Sequence, residues 1–207
     1  MAALLFGGAG TLDYGQGWRY LAVYFVASAA LTLYLARHDP ALLERRTRGG
    51  PWAEKQPAQR LIMVFASAGF LGLLLVPALD KRFGWSHASP AVELAGDFLV
   101  LLGWLGIFFV FRENSFTSAT IELAPDQRVI STGPYARVRH PMYAAALVML
   151  LGIPLALGSW WGLLAFLVIS PALIWRILDE ENFLATNLPG YAEYKQKVRY
   201  RLIPHLW

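Results

Sequence analysis

The sequence predicts an all-α fold: an integral membrane helical bundle of about five transmembrane helices, closed by a C-terminal amphipathic helix on the cytoplasmic surface. Three observations predict it. Hydrophobic residues make up 57% of the chain and charged residues only 15%, against about 25% charged in an ordinary soluble domain. The apolar residues gather into runs close to the roughly 20 residues that carry a helix across a bilayer. Lys and Arg, finally, collect beside those runs on one side, fifteen of the eighteen in all.

The first span is Trp18–Ala36, followed by a loop holding Arg37, Arg45, Arg46, Arg48, Lys55 and Arg60. Leu61–Leu79 is the second, and Lys81 and Arg82 lie in the loop after it. Val92–Phe111 is the third, and its following loop carries Arg112, Arg128, Arg137 and Arg139. Tyr143–Leu157 and Trp160–Leu178 form a hairpin about Gly158-Ser159-Trp160-Trp161. Arg176 stands at the edge of the tail, which adds Lys195, Lys197, Arg199 and Arg201. Only Arg19, Lys81 and Arg82 fall on the other side. The positive-inside rule then sets the N-terminus outside and the C-terminus in the cytoplasm, with an odd number of spans in a bacterial inner membrane. Residues 1–207 read as a single membrane domain, 1–111 giving three spans and 112–207 a loop, the hairpin and the tail.

Pro40, Pro57, Pro90, Pro125 and Pro134 punctuate loops. Pro154 and Pro171 fall inside spans, where neighbouring helices tolerate a packing kink. Beyond Glu181 the tail alternates aromatic and basic residues (Phe183, Tyr191, Tyr194, Lys195, Lys197, Tyr200), the pattern of a surface-lying amphipathic helix. Asp97, near the outer end of the third span, reads as interfacial. There is no internal repeat and no low-complexity stretch.

Composition also excludes function classes. With no cysteine, disulfides, thiolate catalysis and Cys-ligated zinc are out. The four His lack ligand spacing, so no metal is expected. A net charge of +4 would suggest nucleic acid in a soluble protein; in loops flanking spans it fits topology and anionic headgroups, so the partner is the bilayer and no nucleic acid. The first residues lack the basic stretch of a cleaved signal peptide.

Two polar clusters flank the hairpin. One is Gly133-Pro134-Tyr135-Ala136-Arg137-Val138-Arg139-His140-Pro141-Met142-Tyr143, the other Arg176-Ile177-Leu178-Asp179-Glu180-Glu181. His140 lies about 18 residues before the turn and Glu180 about 21 after it, so at a rise of about 1.5 Å per residue both reach nearly the same depth. Taken singly, each residue has a plain reading: His140 as a helix cap, Tyr135 and Tyr143 as interfacial anchors, Arg176 and Glu180 as an i, i+4 pair. Together they place a His, several Arg and two carboxylates at one membrane face, the mark of a ligand site. Adjacent Glu side chains on a helix point apart, which leaves Glu181 to face something other than Arg176. Paired carboxylates suit acid–base work, a divalent metal, or the binding of hydroxyls and a cation.

The run Arg-His-Pro-Met-Tyr, the Glu-Glu about 40 residues later, Tyr191, Tyr194 and Arg201-Leu202-Ile203-Pro204 resemble the isoprenylcysteine carboxyl methyltransferase family. That superfamily of membrane enzymes includes phospholipid methyltransferases. Asn114-Ser115-Phe116-Thr117-Ser118 is similar to the family's Asn-x-Phe-x-Ser stretch, and the resemblance runs from about Asn114 to Pro204. Leu188-Pro189-Gly190-Tyr191 and the Arg199–Pro204 ending resemble bacterial members more than prenylcysteine enzymes. The resemblance implies an S-adenosylmethionine site lined by Gly133, Tyr135, His140, Pro141, Tyr143, Glu180 and Glu181. Arg176 would hold an acidic acceptor, with Arg112, Arg137 and Arg199 as weaker candidates. The implied catalytic residues are Arg176, Glu180 and His140, and the implied partner is a lipophilic or small-molecule acceptor, carboxylate O-methylation being the leading reaction. A carboxylate acceptor needs no proton removed; an amine, hydroxyl or thiol would call on His140, Glu180 or Glu181 as base.

Two other classes compete. An NADPH-dependent sterol-type reductase would share the C-terminal helical arrangement, but the sequence has no Gly-rich phosphate loop. A scaffold or small transporter would place charges mid-membrane or show repeats, whereas these charges cluster at one face.

Overall fold

The structure is a computed structural model describing residues 1–54 and 56–207. Lys55, counted among the basic residues of the first loop, lies outside the described residues. Eight α-helices are described: α1 Ala2–Ala9, α2 Gly15–His38, α3 Pro40–Thr47, α4 Pro57–Phe83, α5 Pro90–Glu113, α6 Pro141–Ala156, α7 Gly162–Asn187 and α8 Tyr191–Lys197. Short 3-10 turns span Pro51–Ala53 and Gly133–Ala136. Among the described residues there is no strand.

α2, α4, α5 and α7 are long and apolar enough to cross a membrane, and α6 is a shorter apolar helix. Its 16 residues reach about 24 Å, somewhat less than a hydrocarbon core of about 30 Å. The five expected spans thus correspond to five helices forming a helical membrane bundle. Pro57, Pro90 and Pro141 each start a helix near its first residue, where the missing N–H goes unneeded. Pro77, like Pro154 and Pro171, lies inside a helix.

α5 and α6 are the most intimate pair, because small residues let their backbones nearly touch. A Cβ on Gly96 would come within 2.1 Å of the Ala156 amide nitrogen, and one on Gly152 within 2.7 Å of the Gly96 carbonyl. In lipid, where apolar tails give helices no hydrophobic reason to associate, such close approach supplies the packing. The register fixes the start of α6 beside the end of α5. α7 packs on α4, and α1 lies against α4 through Leu5, Phe6 and Ala9 near Leu73, Leu74 and Ala78.

At the hairpin end, Ser86 and Ser159 donate to the buried Asp80 carboxylate, and Tyr14 Oη donates to the Leu157 carbonyl at 2.7 Å. Arg19 bridges Glu93, at 3.1 Å, and Asp97. Asp97, expected at the interface, is therefore buried and ion-paired between α2 and α5. In the tail, the expected amphipathic helix corresponds to α8, and its aromatic face packs on protein. α7 runs on to Asn187, α8 has seven residues, and Tyr191 and Tyr194 bury against Leu123, Val129, Leu184 and Leu188. The aromatic face meets protein, since the 114–130 segment folds over it.

Candidate functional site

The two polar clusters meet at the end of the bundle opposite the hairpin. There a cleft of about 110 Å³, partly open to solvent, lies between the 114–130 segment, the start of α6, the last turns of α7, and α8.

His140 precedes α6 and its side chain caps nothing. Instead Nε2 lies 3.2 Å from Glu181 Oε1, while its backbone N–H donates to the Arg201 carbonyl at 2.9 Å and that of Arg139 to the Tyr200 carbonyl at 2.9 Å. The tail thus returns across the mouth of the hairpin. Glu181 fastens it: Arg139 Nε donates to Oε1 at 2.6 Å, Arg201 Nε to Oε2 at 3.1 Å, and Lys195 Nζ stands 3.7 Å away. Arg139 Nη1 adds donations to the Val198 and Arg199 carbonyls, both at 2.7 Å.

Glu180 points the other way. Tyr143 Oη donates to its Oε2 at 2.7 Å, and Arg176 Nε donates to the same Tyr143 oxygen at 3.1 Å. Arg176 makes no i, i+4 pair with Glu180 among the described residues. It reaches across to α4 and the preceding loop: Nη1 donates to Gln59 Oε1 at 2.8 Å, and Nη2 to Glu54 Oε1 at 2.7 Å and to the Ala119 carbonyl at 3.0 Å. Gln59 in turn donates to Asp179. Glu54 is 2% exposed, and its second oxygen accepts from the Ile121 amide at 3.2 Å. A buried pair of this kind costs desolvation and holds only when further hydrogen bonds complete it, as they do here.

Tyr135 is set by the Gly133–Ala136 turn. Gly133 takes φ +56°, a left-handed backbone that calls for glycine. Asn114 Nδ2 donates to Tyr135 Oη at 3.0 Å, and Tyr194 Oη to the Tyr135 carbonyl at 2.8 Å. Burial pushes the Tyr135, Tyr191 and Tyr194 hydroxyls above the ordinary phenol range, so they stay protonated near neutral pH.

Of the residues the resemblance implied, Tyr135, His140, Pro141, Tyr143, Arg176 and Glu180 line the cleft. Gly133 and Glu181 are absent from its wall: Gly133 shapes the turn behind it, and Glu181 is enclosed by cations. Arg137 and Arg199 are exposed, and Arg112 lies over the Phe109 ring, 5.8 Å from its centroid. Sequence reasoning missed Glu54 and Gln59, the partners of Arg176, because they lie more than 110 positions away in sequence. Among the described residues no group of three His, Asp or Glu is placed to hold a metal ion.

The fold and the cleft define a helical membrane protein with a polar cleft at one end of a helical hairpin. Residues 92–189 match the model of the phospholipid methyltransferase family, and this segment of the chain belongs to that family. Over 172 residues the chain is 30% identical to the cobalt-zinc-cadmium resistance protein CzcN of Cupriavidus metallidurans, covering 82% of this chain and 66% of that protein. It is 27% identical to the nickel-cobalt-cadmium resistance protein NccN of Alcaligenes xylosoxydans xylosoxydans over 101 residues, 48% of this chain and 47% of that one. It is 25% identical to a delta(14)-sterol reductase of Mus musculus over 181 residues, 75% of this chain and 43% of the reductase. The chain thus spans less than two thirds of each relative's length.

Proposed function

We propose that the chain is a membrane-embedded S-adenosylmethionine-dependent methyltransferase acting on a lipophilic or small acceptor, with carboxylate O-methylation as its reaction. One observation carries this reading: most of the cleft wall lies within a phospholipid methyltransferase segment, and it includes His140, Tyr143 and Glu180 from both of the polar clusters. The residues present fit the cofactor. Glu180 has one carboxylate oxygen engaged by Tyr143, and the other is available to a ribose hydroxyl or an ammonium. Tyr135 and Tyr194 offer faces suited to adenine or a sulfonium. Tyr191 lines the cleft, and its buried hydroxyl has no partner among the described residues, a group that a polar ligand would satisfy.

When bound, the cofactor supplies a methyl group already activated by its sulfonium. The protein's task is then to align the acceptor and exclude water. A carboxylate acceptor needs no base, which agrees with His140 being tied to Glu181 rather than poised as a free base. The site would face the cytoplasm of a bacterial inner membrane, with the N-terminus outside.

The reductase relative favours a second reading, NADPH-dependent reduction. A pyrophosphate would need several free cations, and of the three lining guanidiniums Arg139 is paired with Glu181 and Arg176 with Glu54, leaving Arg128 without a carboxylate partner among the described residues. Incubation of purified protein and membrane lipids with methyl-labelled S-adenosylmethionine tests the proposal. Label in an extractable lipid or small molecule is expected; NADPH oxidation without methyl transfer would overturn it.

A further inference from the structure

Arg128 is an exposed residue of the cleft wall, and its backbone is fixed from both sides. Upstream, the Gln127 amide donates to the Ala124 carbonyl at 3.2 Å and the Ala124 amide to Gln127 Oε1 at 2.9 Å. They close a turn in which Asp126 takes φ 55°. Downstream, Val129 packs with Leu188, Tyr191, Tyr194 and Val198. A Cβ on Gly190 would lie 3.9 Å from Val129 Cγ2, so the chain passes directly over the start of α8. Arg128 is thereby held beside Tyr191 at the edge of the cleft.

The wall's other cations are occupied: Arg139 is held by Glu181 and Arg176 by Glu54, and His140 lies against Glu181. Of its carboxylates, Glu122 accepts from Thr120 Oγ1 at 3.0 Å, and Glu180 has one oxygen engaged by Tyr143. Arg128 and Glu180 thus bring opposite charges to one cleft without an ion pair between them among the described residues. Tyr191 adds a donor to the same wall: the residue is 4% exposed, and its buried hydroxyl has no partner among the described residues. Leaving a buried hydroxyl unpaired is costly, and a ligand acceptor recovers that cost. A cation, a carboxylate and a neutral donor around one space suit a ligand that carries an ammonium and a carboxylate on the same carbon.

The geometry points to Arg128 as the residue that receives the carboxylate of the cofactor's amino-acid end, with Tyr191 Oη as a second donor and Glu180 facing the ammonium. The planar guanidinium fork matches a carboxylate with two parallel hydrogen bonds, which a lysine ammonium cannot reproduce. Phe116 and Tyr135, also in the wall, are left for the adenine ring. This inference rests on the methyltransferase reading and names the residue that anchors its cofactor.

The test uses the full chain in neutral detergent, wild type beside Arg128→Gln, Arg128→Lys and Arg137→Gln, the last an exposed control outside the cleft wall. S-adenosylmethionine and its decarboxylated form, which keeps the sulfonium and the ammonium and lacks only the carboxylate, are titrated by calorimetry. Wild type should bind S-adenosylmethionine about tenfold or more tighter than the decarboxylated form. Arg128→Gln should bind the two alike, by weakening S-adenosylmethionine alone. Arg128→Lys should keep part of the preference and Arg137→Gln all of it. A merely structural role for Arg128 would weaken both ligands together. Retention of the preference in Arg128→Gln, equal weakening of both ligands, or equal loss of the preference in Arg137→Gln overturns the assignment. A wild type that binds both ligands alike overturns the assignment alone, whereas one that binds neither overturns the methyltransferase reading and the assignment with it.

Discussion

Replacing Glu181 by Gln should unfasten the C-terminal tail, whereas replacing Glu180 by Gln should leave the fold intact and weaken the ligand site. Glu181 is 2% exposed and meets Arg139, His140, Arg201 and Lys195. The Gln variant leaves the buried Arg139 guanidinium without its counter-charge, a loss of about 3–5 kcal/mol. Two donations from Arg139 to tail carbonyls persist, which favours the lower end, about 3 kcal/mol. Glu180 loses only its share in the Tyr143 hydrogen bond, worth about 1 kcal/mol. Thermal unfolding in detergent and trypsin cleavage at Lys195, Lys197 and Arg199 separate the two. Glu181→Gln should melt earlier and be cut faster in the tail, while Glu180→Gln behaves as wild type in both. A Glu181→Gln protein with wild-type melting and tail protection would refute this account of the tail.

Tyr143→Phe keeps the ring and removes the hydroxyl linking Arg176 to Glu180; methyl transfer should fall about tenfold with little change in melting, as for one or two lost hydrogen bonds. Glu54→Gln strands the buried Arg176, and unfolding measured by tryptophan fluorescence should show a loss of about 3 kcal/mol. Gly96→Val puts a branched side chain where even a Cβ would strike the α6 backbone at 2.1 Å. This variant should lose well over 1 kcal/mol of stability, read as a lower melting temperature and reduced folded yield, whereas Gly7→Val, where nothing lies within 4 Å of an added Cβ, should not.

The bundle was legible because hydrophobic runs and loop charges are local signals, and five spans drawn from them correspond to α2, α4, α5, α6 and α7. The meeting of His140 with the Glu pair was legible too, since helix rise alone brings the two ends of a hairpin to one depth. Which glutamate faces the cleft was not, because the choice depends on Arg139, Lys195 and Arg201 converging on Glu181. Glu54 and Gln59 were invisible as partners of Arg176 for a similar reason. They sit in or beside a first loop whose basic residues already had a topological explanation, and their partners lie far along the chain. The tail was misjudged in one respect: an amphipathic pattern says that one face is apolar, not whether lipid or the 114–130 segment covers it.

Calorimetric titration of S-adenosylmethionine into the purified protein, wild type beside Glu180→Gln, tests the central claim most directly. Saturable binding by wild type, weakened about tenfold or more in a variant that melts normally, is the predicted result. A folded wild type that binds NADPH and not S-adenosylmethionine would contradict it.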